Sequence, residues 1–352
     1  MINKRLFKQY GIDIEKNLKL EVRCPRPYDT VLIDKNGSVY ACECTSWLPQ
    51  SIGNLQVKSL EDMFAGSMAG ELRDSMADGT YRYCNNKQCS YLKDTEILKR
   101  RSAWNRAPQV LIRHIRLAMD ESCNLKCPSC RTDQILHTSG SQFEMRKRLV
   151  KKVLEYIKHR IKMPNSLRVH IGSDGDPFAS LIYRYFMKEM AAYDSDYLEY
   201  TMQTNGLLVK QLSNRVPHIF KRMSILAVSI DGATKETYEK LRLGGTWEKI
   251  NENLRHIQEL AHHYDFVFQM HMVVQADNWR EMPAMAALAR SVDAEVQFNP
   301  IEDWQTFDNF EEKRCPEELD EFKSVCDEVA RQDHVYAWFK TNTVLREFIQ
   351  PD

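Results

Sequence analysis

The sequence lacks the features that mark nucleic-acid-binding, secreted and membrane-spanning proteins. Its 352 residues carry 49 Lys and Arg against 49 Asp and Glu, so no net charge attracts nucleic acid or an anionic membrane surface. No apolar run approaches the roughly 18 residues that span a bilayer. The N-terminus has neither the apolar core nor the cleavage site of a secretion signal. These absences predict a soluble cytoplasmic protein with no nucleic-acid partner and no membrane partner.

Ten cysteines stand out in this otherwise ordinary composition. Five of them lie between residues 24 and 89 and three form a tight group further on, whereas Cys315 and Cys326 stand apart. In a reducing cytosol, grouped cysteines indicate metal or redox chemistry before disulfides. Both groups are therefore candidate metal sites.

Two regions differ in their hydrophobic pattern. The first has short β-rich runs at 30–33 and 39–41 around the turn signal Asn36-Gly37, then a helical pattern at 59–77. In the second, six strand patterns lie at 110–119, 167–171, 198–203, 225–230, 266–274 and 294–300. Helical patterns separate them at 142–162, 181–193, 246–263 and 279–292. Repeated strand–helix units predict a parallel sheet, and six strands fit a partial barrel.

The predicted fold class is therefore α/β. We expect a partial (β/α)6 barrel at 109–305, preceded by a small irregular domain of β-hairpin and helix at 1–108 and followed by a helical extension at 306–352. Because functional residues of parallel βα folds lie at the carboxyl ends of the strands, motifs at those ends should converge.

Cys123, Cys127 and Cys130 follow the first predicted barrel strand with the spacing C-x3-C-x2-C. Three thiolates on a short loop can ligate three irons of a cubane cluster and leave the fourth iron without a protein ligand. An open metal position is what a substrate or cofactor needs in order to bind the metal directly. The alternative is a structural zinc site with His137 as the fourth ligand.

This arrangement resembles the signature of the radical S-adenosylmethionine (SAM) superfamily. Asp174-Gly175-Asp176-Pro177, after the second strand, resembles the family's Gly-Gly-Glu-Pro motif, which binds the amino group of SAM. Thr204-Asn205-Gly206 and Ser229-Ile230-Asp231-Gly232 resemble stretches whose hydroxyls contact the cofactor. Arg242 resembles a family position that binds the SAM carboxylate or a substrate anion, and the alternative is a solvated helical arginine. The sequence departs from the family at Ser129, where relatives carry an aromatic residue against the adenine.

The resemblance implies SAM and a SAM-binding [4Fe–4S] cluster as cofactors. In the family, reductive cleavage of SAM yields a 5′-deoxyadenosyl radical that abstracts hydrogen from an unactivated C–H bond. The electron would come from an external one-electron reductant of the flavodoxin or ferredoxin type.

The N-terminal cysteines show a second resemblance. Cys24-x12-Gly37-x4-Cys42 resembles the C-x9–15-G-x4-C element of SPASM and twitch domains, which hold auxiliary iron–sulfur clusters. The resemblance implies one auxiliary [4Fe–4S] cluster, with Cys84 and Cys89 completing four ligands. Cys44 is then spare or exchanges with another ligand. A zinc ribbon on the same four cysteines is the alternative.

We expect an oxidoreductase-type enzyme that uses the auxiliary cluster as electron acceptor. Only 23 residues precede Cys24, which leaves no room for the leader-binding domain of many peptide-modifying relatives, so the expected substrate is a small molecule, with carbohydrates as one class. One alternative is a peptide maturase that cross-links or epimerises its substrate, in which Cys315 would return a hydrogen atom. The other is a zinc-stabilised binding module without catalytic activity.

Overall fold

The computed structural model describes residues 24–93 and 109–337. Its strands are β1 (Thr30–Asp34), β2 (Ser38–Tyr40), β3 (Ser51–Asn54), β4 (His114–Ala118), β5 (Leu167–Ile171), β6 (Leu198–Thr204), β7 (Met223–Ser229), β8 (Val267–Val274), β9 (Glu295–Pro300) and β10 (Val335–Ala337). Its helices are α1 (Arg26–Asp29), α2 (Leu60–Phe64), α3 (Ser67–Ala77), α4 (Ser90–Lys93), α5 (Ser141–Arg160), α6 (Leu181–Glu189), α7 (Val209–Leu212), α8 (Pro217–Lys221), α9 (Lys235–Leu241), α10 (Trp247–Tyr264), α11 (Met282–Ser291) and α12 (Asp320–Ala330). None of the described helices is both long and apolar enough to cross a membrane.

The chain divides into two compact units. Of the described residues, the first unit takes 24–93, 109–120, 138–174 and 192–199, and the second takes the rest. The first unit therefore includes β4 and β5 beside the N-terminal hairpin. The predicted boundary at residue 108 lies outside the described residues.

The first unit begins with a β-hairpin, as the Asn36-Gly37 signal predicts. β1 and β2 pair antiparallel, and Gly37 takes a φ of +83°, which glycine adopts without steric cost. The Asp34 carboxylate accepts hydrogen bonds from the backbone N–H groups of Asn36 at 2.9 Å and Ser38 at 2.8 Å. β3 pairs antiparallel with β2 and extends the hairpin.

Parallel pairing begins where β1 meets β4. β4 in turn pairs in parallel with β5, so the strand order in the first unit is β3-β2-β1-β4-β5. Successive side chains of a strand point to opposite faces of the sheet. One face is the core, with six side chains at 0% exposure: Val31, Ile33, Ile115, Leu117, Val169 and Ile171. The other face carries His114, Arg116, Arg168 and His170.

The helical pattern at 59–77 is two helices, so the prediction of a single helix was wrong. Ser59 caps α2 as predicted, because its Oγ accepts a hydrogen bond from Asp62 N–H at 3.0 Å. The chain then becomes extended at Gly66, with φ −72° and ψ 167°, and this residue is the N-cap of α3. Glycine has a low helix propensity, which explains why the interruption falls there.

The second unit is a run of parallel strands in the order β6-β7-β8-β9-β10. Predicted strands correspond to β6–β9, and the helical pattern at 246–263 is α10. The pattern at 279–292 is a 3-10 turn (Trp279–Glu281) followed by α11. The apolar face of the sheet holds six side chains at 0% exposure: Leu226, Val228, Met270, Met272, Val296 and Phe298.

Two expectations for strands need correction. The first barrel strand, expected at 110–119, is shorter, since β4 covers only His114–Ala118. The C-terminal extension contributes α12 and also the strand β10, which pairs in parallel with β9. Three residues are too few for alternation to be visible in the sequence, so β10 was missed. Residues 338–352 of the predicted extension lie outside the described residues.

Candidate functional site

The loop between β4 and α5 brings Cys123, Cys127 and Cys130 together. The N–H groups of Cys130 and Arg131 both donate to the carbonyl oxygen of Cys127, at 3.0 Å each. Cys123 N–H donates to the carbonyl oxygen of Ile135 at 2.8 Å, which closes the loop. Cys123 and Cys127 are buried, Cys130 is exposed, and all three are free thiols. The C-x3-C-x2-C spacing therefore forms a compact loop with three thiols available as ligands.

Each of the three sulfurs accepts a hydrogen bond from a different side chain. Asn205 Nδ2 donates to Cys123 Sγ at 3.5 Å, a sulfur that also accepts Leu125 N–H at 3.4 Å. Arg242 Nη1 donates to Cys127 Sγ at 3.7 Å. Arg131 Nη2 donates to Cys130 Sγ at 3.6 Å. Donors aimed at sulfur stabilise thiolate, which is the form that binds metal.

Arg242 is held against Cys127 by a buried carboxylate. Its Nε lies 2.8 Å from Asp231 Oδ2, and Asp231 is 0% exposed. Val273 N–H donates to the other oxygen of Asp231 at 2.9 Å. Burial acts to lower the pKa of Arg242, but the charges of Asp231 and Cys127 outweigh it and raise that pKa. For the Cys127 thiol, burial raises the pKa, and the positive charge of Arg242 opposes that rise.

Asp176 fastens the loop after β5 to the end of β6. Its Oδ1 accepts the N–H groups of Phe178 and Ala179 at 3.0 Å each. Its Oδ2 accepts Thr204 Oγ1–H at 2.7 Å and Asn205 N–H at 2.8 Å. Burial raises the pKa of Asp176, and these four hydrogen bonds oppose the rise. The carboxylate expected to meet the amino group of SAM thus already accepts four donors from this chain.

The remaining predicted cofactor residues lie on the same unit. Gly175 has a φ of +65° directly before Asp176, and Pro177 follows it. Asp176 N–H donates to the carbonyl oxygen of Ser122 at 2.8 Å, which links this segment to the cysteine loop. Ser229, at the end of β7, accepts a hydrogen bond from Gln203 Nε2 at 3.0 Å.

The donor set of three thiols on one loop fits a cubane cluster, in which each thiol binds a different iron. In the part of the chain that the structure describes, no group of three or more His, Cys, Asp or Glu side chains lies close enough to hold one metal ion. Zn–S bonds of about 2.3 Å require thiolates in mutual contact. Ligands of a cubane are farther apart, because each binds a different iron. His137, the zinc alternative's fourth ligand, has its Nε2 3.3 Å from Glu121 Oε1.

The N-terminal thiols form a second site, within the first unit. Cys24, Cys42, Cys84 and Cys89 line one cavity together with apolar and aromatic side chains, which include Trp47, Leu48, Met76, Tyr81 and Tyr91. Burial, and next the charge of a neighbouring thiol, raise the pKa of Cys24 and Cys89 to about 12. The same two causes raise the pKa of Cys42 and Cys84. Four mutually interacting thiols from three segments fit a fully cysteinyl cluster, whereas Cys44 is not among the cavity residues.

A buried cation borders this cavity. Arg26 is 7% exposed, forms an ion pair with Glu43 and donates from Nη2 to Tyr91 Oη at 3.3 Å. A cluster with four thiolates is anionic, and a neighbouring guanidinium offsets part of that charge.

Two family models match these two regions. The radical SAM superfamily model matches residues 120–289, and the SPASM model, an iron–sulfur cluster-binding domain, matches residues 24–90. The chain carries a radical SAM domain preceded by a SPASM domain. These two domains imply SAM, a SAM-binding [4Fe–4S] cluster and an auxiliary iron–sulfur cluster. The predicted fold class, a partial barrel preceded by a hairpin domain, is confirmed.

Several solved structures are similar to the chain. SuiB from Streptococcus suis, bound to the precursor peptide SuiA, is 11% identical with a TM-score of 0.45, over 64% of this chain and 48% of that one. The enzyme anSMEcpe with bound AdoMet is 21% identical with a TM-score of 0.37, over 54% and 51%. A radical SAM methyltransferase from Sphaerobacter thermophilus is 15% identical with a TM-score of 0.41, over 61% and 63%. The chain thus spans about half the length of the first two. No curated protein sequence matches it.

Cys315, the predicted hydrogen donor, lies ahead of α12 in the second unit. Burial raises its pKa to about 12, with Glu317 and Cys326 as the next causes, so the two C-terminal thiols interact with each other. Its assignment as a hydrogen donor stays a prediction.

Sequence reasoning missed the donors that surround the cysteines. Arg131 follows Cys130 directly, and a basic residue beside a ligand was the available signal. Asn205 was assigned to SAM, not to Cys123, because a sequence separation of 82 residues hides the contact. Asp231 was likewise assigned to SAM, not to Arg242. Only the folded chain reveals such pairs.

Proposed function

We propose that the enzyme oxidises a small polar molecule, with carbohydrates as the class we favour, after abstracting hydrogen from an unactivated C–H bond. Cys123, Cys127 and Cys130 hold the SAM-binding cluster, and an external flavodoxin- or ferredoxin-type protein supplies the electron. When bound, cluster and SAM supply the adenosyl radical. The N-terminal thiols hold the auxiliary cluster, which accepts the electron from the substrate. These thiols are Cys24, Cys42, Cys84 and Cys89.

The observation that carries this proposal is the set of three donors on the three sulfurs. Asn205, Arg242 and Arg131 come from separate segments, yet each reaches one cysteine of the triad. Ligand thiolates need such partners to stay deprotonated and oriented. An ordinary group of buried thiols has no need of two arginines.

Around the triad, the proposal gives the strand-end residues separate tasks. The Gly175–Asp176–Pro177 segment borders the methionine end of SAM, and the Asp176 carboxylate fixes Thr204 and Asn205 there. Ser229 and Asp231 end β7 beside it. A guanidinium has five N–H donors. Arg242 uses one toward Cys127 and faces Asp231 with another, so the remaining donors can bind the SAM carboxylate.

A polar sheet face supports a polar substrate. Ser229, His271 and Gln297 are in register on β7, β8 and β9, so they share one face, and all three are half-buried. Burial lowers the pKa of His271 to about 4, so its ring is neutral near pH 7. Neutral donors and acceptors in a row suit hydroxyl and amide groups more than an apolar ligand.

The first experiment measures iron and SAM cleavage in anaerobically reconstituted protein. We expect about eight irons per chain, from two cubanes, and reductant-dependent formation of 5′-deoxyadenosine. Cys84→Ala should lower iron to about four and retain SAM cleavage. Cys127→Ala should abolish that cleavage. Cys326→Ala, a buried thiol outside both groups, is the matched control and should retain both.

The second experiment identifies the substrate class. Deuterium transfer from a labelled carbohydrate into 5′-deoxyadenosine supports the proposal, whereas transfer only from labelled peptides supports the maturase alternative. Loss of product in Cys315→Ala, with SAM cleavage intact, would favour epimerisation. Stoichiometric zinc without any formation of 5′-deoxyadenosine would support the alternative of a zinc-stabilised binding module.

A further inference from the structure

One face of the first unit's sheet carries two arginines and two histidines on neighbouring strands. Arg116 on β4 pairs in register with His170 on β5, and His114 with Arg168, so all four side chains share a face. The residues that alternate with them along the strands form the opposite, apolar face: Ile115, Leu117, Val169 and Ile171. This arrangement uses none of the cysteines of either cluster site.

No described residue pairs with the side chain of Arg116 on this face. Its side chain is half-buried, and its Nε is inaccessible to solvent and makes no hydrogen bond. No ion pair or side-chain hydrogen bond joins it to another residue of the described part of the chain. A half-buried guanidinium without an acceptor is costly, since proteins pair such charges. Of its three nitrogens, only Nε is both buried and without a hydrogen bond.

The neighbouring groups offset or remove most of the other positive charges on this face. Arg168 Nη2 is 3.2 Å from Glu199 Oε1, which offsets one of the two guanidinium charges. Burial, followed by the charges of Arg26 and Arg168, lowers the pKa of His114 to about 3, so that ring is neutral. His170 lies beside Arg116 on the adjacent strand. Of the two guanidinium charges on this face, only that of Arg116 is not offset by an ion pair with another described residue.

We propose that Arg116, assisted by Arg168, binds the anionic group of a small molecule, namely a carboxylate or a phosphate. A planar guanidinium offers two parallel N–H donors that match the oxygens of either group. The proposal goes beyond the cluster chemistry, since anion binding here requires neither SAM nor a reductant.

The test measures anion binding to the reconstituted full-length protein by isothermal titration calorimetry at low ionic strength, where screening is small. The probes are inorganic phosphate and the pair D-glucuronate and D-glucose, which differ by a carboxylate. We expect phosphate and glucuronate to bind and glucose not to bind. Arg116→Gln should raise the dissociation constant for phosphate about tenfold or more.

A gain of affinity separates this site from loss of structure. Glu199→Gln removes the carboxylate that competes for Arg168, so phosphate should bind about threefold more tightly. Misfolding cannot produce tighter binding. Arg290→Gln and Glu259→Gln, whose side chains are exposed, are matched controls for the change in net charge and should have no effect.

A separate titration with SAM tests whether the carboxylate that Arg116 binds belongs to SAM or to another small molecule. The proposal requires that Arg116→Gln leave the affinity for SAM unchanged. If Arg116→Gln binds phosphate like the unmodified protein, or if it weakens only SAM, the proposal is wrong. It is equally wrong if Glu199→Gln weakens phosphate binding.

Discussion

Replacing Arg242 with glutamine is expected to make the reduction potential of the SAM-binding cluster more negative. The change removes a positive charge whose Nη1 lies 3.7 Å from Cys127 Sγ, together with the hydrogen bond to that sulfur. Positive charges and hydrogen bonds at ligand sulfurs favour the reduced cluster, because the added electron raises its negative charge. Arg242→Gln also leaves Asp231 as a buried, uncompensated carboxylate.

The magnitude follows from Coulomb's law. Two unit charges about 4 Å apart interact by ~4 kcal/mol at an effective dielectric constant of about 20. Since a one-electron couple shifts by about 59 mV for every ~1.4 kcal/mol, the upper limit is about 170 mV. The electron spreads over several irons and Asp231 offsets part of the charge, so we expect a shift on the order of 50–100 mV.

Asp231→Asn provides the matched test of opposite sign. It removes the negative charge but keeps the side-chain shape, so the potential should become more positive. Both potentials are measured by anaerobic redox titration with electron paramagnetic resonance detection. A merely structural role for the pair would disturb the cluster in the same way in both variants. Shifts of the same sign, or no shift in Arg242→Gln, would refute the reasoning.

Three further outcomes are expected. Asp176→Asn should lower the affinity for SAM and lower the free energy of unfolding by about 1.5–3 kcal/mol, because the amide cannot accept all four hydrogen bonds. SAM titration measures the first effect and urea denaturation the second. Gly232→Ala should lower the urea midpoint, since a Cβ there would lie 2.4 Å from Tyr238 N, whereas Gly70→Ala, with open space around it, should not. The pKa of His271 falls from its usual value to about 4 on folding, so the unfolded chain binds more protons between those values and stability is lost as pH falls from 6.5 to 4. Between pH 7 and 5, the free energy of unfolding of His271→Gln should therefore fall by about 2 kcal/mol less than that of the unmodified protein. An equal fall in the two proteins would contradict the lowered pKa of His271.

The sequence by itself determined the type of chemistry. Motif spacing is local information: C-x3-C-x2-C after a strand specifies three thiols on one loop, and the hairpin glycine specifies a turn between Cys24 and Cys42. Strand and helix periodicities likewise depend on near neighbours, so the parallel α/β class, most strands and the hairpin were predictable. Errors fell where the local signal is weak, as at Gly66 and at the three-residue strand β10.

Only the tertiary structure decided which side chains serve those thiols. Asn205 and Arg242 approach Cys123 and Cys127 across 82 and 115 residues of chain, a pairing that no local pattern encodes. The same holds for Arg116: the sequence shows an arginine in a strand, whereas the fold places it beside His170 and leaves its buried Nε without a hydrogen bond to any described residue. Hydrogen bonds and ion pairs act over a few ångströms in space, and the fold alone determines which distant residues come within that range.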